Sequence, residues 1–231
     1  MRRIVIAAGI AAATAAAIAA RAQIPGLPGG GGPGGRPGMS QPADELDRTP
    51  PAEKPDAAAT KAYKLGEKTL QKGKDYEAEA AKATSADKRA DELEKASEQY
   101  YRALDLFTAA LDGRPEMFEA WNAVGYAHLR LGAFRESVDD YDHALKYKPD
   151  LEEAILYRAV AYLALDRLDD AEIAYMDLFN HQRDLADQLM KAMHKWLAEH
   201  REDAKGMRPA QIDAFDAWLQ QRDQLAKQAA S

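Results

Sequence analysis

The chain has 231 residues, with 31 Lys and Arg against 38 Asp and Glu, a formal net charge of −7, and no cysteine. That length suits one well-cored domain or an elongated helical array. The missing cysteines exclude disulfides, thiolate chemistry and Cys-ligated zinc or iron–sulfur centres. The acidic balance argues against a nucleic-acid partner, because phosphate binding needs a basic footprint.

The N-terminus reads Met1-Arg2-Arg3 and then an apolar run from Ile4 to Ala20, ending in Ala20-Arg21-Ala22. A basic start, an apolar stretch and a small-x-small site form a secretory signal over 1–22, with cleavage expected after Ala22. Removing Arg2, Arg3 and Arg21 takes the formal charge from −7 to −10. An uncleaved anchor is the alternative, although the run is short and Ala-rich for a full span. No later stretch is expected to insert in a membrane. No Cys lies near the cleavage site, so the lipidated-cysteine class is excluded, and the periplasm is the expected compartment, with secretion as the alternative.

Residues 23–58 hold eight of the eleven prolines and eight of the fifteen glycines, with few large apolar residues. Such a segment buries too little to offset the entropy of ordering, so it is expected to be a disordered linker.

From Ala59 onward the pattern is helical, and the expected fold class is all-α. Between Phe118 and Leu151, Trp121, Val124-Gly125, His128, Gly132, Phe134, Ser137, Tyr141, Ala144 and Pro149 recur at the offsets of a helical hairpin. A small residue at Gly125 lets two antiparallel helices approach, Tyr141 and Ala144 fill the next contact, and Pro149 closes the second helix. The next 34 residues keep that register, with Ile155, Ala159, Tyr162, Leu168, Ala171 and Tyr175 at the same offsets and Asp166-Arg167 in place of the turn glycine. These two units, 118–151 and 152–185, resemble the tetratricopeptide repeat family, which implies a short α-solenoid of antiparallel hairpins.

A divergent unit precedes them over 59–117. Ala103, Phe107, Ala110 and Pro115 form a second-helix pattern, and Ala62, Leu65-Gly66 and Gly73 match a first helix starting near Ala59. The spacing exceeds a normal repeat by 25 residues, about seven whole helical turns. The expectation is therefore an extended second helix whose added part, Asp75 to Asp91, has little to bury and projects from the stack or packs lightly. A break is possible at Thr84-Ser85-Ala86-Asp87, where an acid follows Thr84 by three residues. Residues 186–231 give two amphipathic helices, around Leu189, Met193, Trp196 and Leu197 and then Ile212, Phe215, Trp218 and Leu219. They are expected to cap the open end of the stack, which would otherwise expose core.

No residues assemble into chemistry. None of His128, His143, His181, His194 and His200 stands in the i, i+4 spacing of a helical zinc site. His128 is expected to pack within its repeat. Asp139-Asp140 and Asp169-Asp170 start second helices, where negative charge is favoured, and read as solvated face. Lys61, Lys64, Lys68, Lys72 and Lys74 form a local basic patch diluted by Glu67 and Asp75. No enzyme activity, cofactor or metal is expected.

The family resemblance implies a concave groove lined by first helices. Its positions fall here on Glu119, Asn122, Tyr126, Leu129 and Arg130, then on Glu153, Leu156, Val160, Leu163 and Ala164. The basic clamp that some members use for a terminal carboxylate is missing apart from Arg130. The mixed surface suits a helix or an extended apolar peptide, unless the capping helices fill it. The expected function is a non-enzymatic scaffold or adaptor of the bacterial cell envelope, binding a protein or peptide. The alternatives are a self-associating structural protein using the 75–111 helix, or an auxiliary subunit of an envelope enzyme complex.

Overall fold

The structure, a computed structural model, describes residues 55–203 and 206–229, all of its regular structure being helical. The signal-like segment 1–22 and nearly all of the linker lie outside the described residues. Among the described residues eight helices follow one another: α1 (Pro55–Lys82), α2 (Ala86–Gly113), α3 (Phe118–Leu131), α4 (Phe134–Tyr147), α5 (Glu152–Ala164), α6 (Leu168–His181), α7 (Arg183–Glu202) and α8 (Pro209–Ala229). Neighbours in sequence pack as antiparallel pairs, and α3 also meets α5 while α5 meets α7.

The two central hairpins repeat their contacts with an offset of 34 residues. A Cβ added to Gly125 would sit 3.0 Å from the Tyr141 ring, so only the bare backbone lets that ring lie between α3 and α4. Tyr141 and Ala144 are fully buried, with Trp121 packed against them, and the equivalent Ala159 and Tyr175 of the next hairpin are buried too. The turns repeat as well. Gly132 takes a left-handed conformation at φ 79° and Ala133 N–H donates to the His128 carbonyl at 3.0 Å; 34 residues on, Asp166 is left-handed at φ 57° and Arg167 N–H donates to the Tyr162 carbonyl at 2.9 Å. Asp tolerates this conformation better than most side chains, which explains how the turn survives without glycine.

The first hairpin differs from its expected form. The extra length is shared by both arms: α1 and α2 are each 28 residues, twice the 14 of α3 and α4. Residues 55–58 belong to α1 rather than to the linker. The chain reverses at Ala83–Ser85, and the cap is Ser85, not Thr84; its side chain accepts from Lys88 N–H. Ala59, Gly66, Gly73 and Ala80 recur every seven residues along α1, and all four are buried. A Cβ on Gly66 or on Gly73 would lie 2.6 Å from the rings of Phe107 and Tyr100 respectively. Small residues on one helix thus face aromatics on the other in a single antiparallel register with coiled-coil spacing. Leu65 lies off this seam and is 52% exposed. Toward the turn, Ala80 and Ala83 are buried but belong to none of the larger apolar clusters, so the hairpin's end is held mainly by its own two helices.

The other end of the stack is closed by α7 and α8. Trp196 meets Phe215 edge-on with centroids 5.4 Å apart, and Trp218 meets Tyr175 at 5.4 Å. Leu189, Met193, Ile212, Phe215 and Leu219 are buried in the same cluster as α5 and α6. No described helix is long and apolar enough to cross a membrane.

Candidate interaction face

The first helices of the three hairpins, α1, α3 and α5, lie side by side, with α3 between the other two. Glu119, Asn122, Tyr126 and Arg130 follow one face of α3 at helical spacing. Tyr126 occupies the centre. Its ring meets Tyr157 of α5 edge-on at 5.1 Å and Tyr100 of α2 at 6.5 Å. Lys74 of α1 places its Nζ 4.2 Å from the Tyr126 centroid. Beside it, Arg130 donates to Glu77 Oε1 through Nε at 2.8 Å and Nη2 at 2.7 Å. This pair ties α3 to the upper part of α1, and both side chains are largely enclosed.

Burial sets the electrostatics. It pushes the Tyr126 hydroxyl up to about 12, and it raises Tyr63, Tyr100 and Tyr157 as well. These rings therefore present neutral hydroxyls at physiological pH. Burial lowers the Lys74 ammonium, with Glu153 and Glu77 opposing the shift. Burial also disfavours the Arg130 cation, but Glu77, Tyr126 and Tyr100 together outweigh this and raise it.

Three buried polar atoms at this junction have no hydrogen-bond partner: Asn122 Oδ1, the Tyr100 hydroxyl and the Tyr141 hydroxyl. Glu77 is near the Tyr100 hydroxyl but outside hydrogen-bonding geometry. An unmet buried polar group costs roughly 1–3 kcal/mol.

The residues expected to line the groove divide sharply. Glu119 is exposed, and Asn122, Tyr126, Arg130 and Glu153 are partly accessible. Leu129, Val160 and Leu163 are buried, and Leu156 is fully so. All four leucine and valine side chains belong to the cluster that α7 helps to close, because α7 folds back on α5 as well as on α6. The expected apolar half of the groove is therefore core, and the accessible half is aromatic and polar. Lys74, Glu77 and Tyr157 join the face without having been expected there. The signal for the first two was the seven-residue recurrence of Ala59, Gly66, Gly73 and Ala80, which carries α1 past Gly73.

Elsewhere the histidines act as fasteners. His128 Nδ1 lies 2.6 Å from Asp140 Oδ2 across α3 and α4. Asp140 is only 8% exposed, so it is not the solvated acid expected, and burial raises its carboxyl against the opposing pull of His128. His200 is buried, stacks on Trp196 at 3.8 Å and approaches Asp166 at 3.4 Å. Among the described residues no group of three or more His, Cys, Asp or Glu could hold a metal ion. Among the described residues the arrangement offers accessible aromatic surface and hydrogen-bonding groups.

No family model matches the chain. Over 72 residues it is 29% identical to the Protein SGT1 homolog of Oryza sativa subsp. japonica, a match that covers 31% of this chain and 20% of that protein. The chain thus aligns with about a fifth of that relative's length. The geometry itself is an all-helical, repeat-like architecture of paired antiparallel helices.

Proposed function

We propose that this chain is a protein-binding scaffold built from tetratricopeptide-like hairpins, and that it holds its partner on the face shared by α1, α3 and α5. The observation that carries this reading is the pair of partly accessible rings, Tyr126 and Tyr157, which meet 5.1 Å apart between α3 and α5 with the partly accessible Asn122 one turn before Tyr126. A polypeptide laid across the face can cover the Tyr126 and Tyr157 rings. Glu119 and Glu153 flank the rings and favour a neutral or basic segment over an acidic one. The signal-like residues 1–22 support export, and we place the work of the scaffold in the periplasm of a bacterial cell envelope.

The test is capture from envelope extract with the full chain. A partner held by the wild type should be lost by Asn122→Leu and by Tyr126→Ala. It should be retained by Ile173→Ala, which alters a side chain 69% exposed on α6. Equal retention by all three variants rejects this face as the binding surface.

A further inference from the structure

The first hairpin separates its surface charge by helix. Along the side of α1 that faces away from α2, Lys64, Lys68 and Lys72 are exposed at i, i+4, i+8 spacing, and none has a hydrogen bond or ion pair among the described residues. Along the side of α2 that faces away from α1, Glu94, Glu98 and Asp105 are exposed and equally without such partners. Lys95 and Arg102 are exposed bases beside that acidic face, Arg102 standing between Glu98 and Asp105, and Glu67 and Asp75 are exposed acids beside the lysines. Each face also carries one of the few exposed large hydrophobics among the described residues, Leu65 at 52% beside the lysines and Tyr101 at 49% beside the acids.

Like charges one turn apart repel each other, and the neighbouring opposite charges, Glu67 and Asp75 on α1 and Lys95 and Arg102 on α2, offset only part of each row. The chain as a whole is net negative at −7, so two copies repel unless specific faces are matched. The two rows match each other in sign and roughly in length, at about 12 to 17 Å by helical rise, and each carries an apolar side chain for the centre of a contact.

We propose that the α1–α2 hairpin is a self-association element, with the lysine face of α1 in one copy docking on the acidic face of α2 in another. The two faces lie on opposite sides of the hairpin, so the contact is head-to-tail and leaves a free face at each end; it propagates instead of closing as a two-fold dimer. Because both faces are solvated, the contact is screened as the Debye length falls from about 20–30 Å in dilute buffer to a few ångströms in strong salt.

Sedimentation velocity of the folded chain tests this over a concentration series at low and high salt. The weight-average mass should rise with concentration at low salt and return to one protomer at high salt. Lys64→Glu/Lys68→Glu/Lys72→Glu and Glu94→Lys/Glu98→Lys/Asp105→Lys should each stay monomeric at low salt with unchanged circular dichroism. Mixing the two variants should restore association, and so should one chain carrying all six changes, which has the wild-type net charge. A wild type that is monomeric throughout, association insensitive to salt, or a six-change chain that folds but stays monomeric while the wild type associates would each overturn the proposal. If one triple variant fails to fold, the other and the six-change chain still decide it. Partner capture through Tyr126 is untouched by these changes, so the two readings fail separately.

Discussion

Replacing Gly73 by Ala measures how closely α1 and α2 approach. In an exposed helix interior, Gly to Ala stabilises by about 1 kcal/mol through backbone entropy and propensity. At Gly73 the added methyl would fall 2.6 Å from a ring carbon of Tyr100, and that ring is enclosed in the hairpin's core. Overpacking of this kind costs about 1–3 kcal/mol. The two effects leave a net destabilisation of roughly 0–2 kcal/mol, or up to about 8 °C in Tm for a body of this size. The assay is urea and thermal unfolding followed by circular dichroism at 222 nm. Tyr100→Leu removes the obstructing ring, so a double-mutant cycle should show a coupling of at least about 0.5 kcal/mol between the two sites. A stabilised Gly73→Ala protein, or a cycle with no coupling, would refute the close approach and with it the register of the hairpin. Gly132→Ala is the contrast. Nothing lies within 4 Å of its added Cβ, but φ is +79°, so it should destabilise by about 1 kcal/mol through backbone strain, with no neighbouring substitution able to rescue it.

Arg130→Ala strands Glu77 in a largely enclosed position. Discounted for residual exposure, the loss should be about 2–3 kcal/mol, and adding Glu77→Ala should recover part of it in urea midpoints. Asp140 titrates with the opposite sign to a surface acid. Its folded carboxyl is raised by burial, so the stability it contributes is full below its unfolded value and is lost as pH rises through the raised one. Unfolding of wild type against Asp140→Asn, which keeps an acceptor for His128, should therefore favour the wild type less at neutral pH than in acid. Deleting α8 from Gly206 onward uncovers Trp196 and Tyr175; tryptophan emission should shift to the red and the protein should bind a hydrophobic dye, whereas an unchanged spectrum would deny that α8 covers this end.

The central hairpins were legible because their signals are local and repeated: Gly125 with Tyr141 and Ala159 with Tyr175 share one offset, and each turn falls where the pattern breaks. The first hairpin was harder. Gly66 and Gly73 look like marks of a short first helix, yet they are seam residues of a long one, and only the facing rings of Phe107 and Tyr100 reveal that. The polar half of the candidate face, Glu119, Asn122, Tyr126 and Glu153, followed from the groove positions that the tetratricopeptide resemblance implies. The apolar half did not, since Leu156, Val160 and Leu163 occupy the same positions but are covered by α7, a tertiary contact that no spacing within α5 encodes. Arg130 was read as a free groove cation because its partner, Glu77, lies 53 residues earlier in a part of α1 expected to belong elsewhere.

The measurement closest to the central claim is site-specific photocrosslinking in living cells, with the reactive side chain placed at Glu119 on the candidate face and, separately, at Ile173 on the outside of α6. The account predicts a discrete crosslinked partner from position 119 that vanishes when Tyr126→Ala is added, and none from position 173. The same partner captured equally from both positions, or from 173 alone, would contradict it.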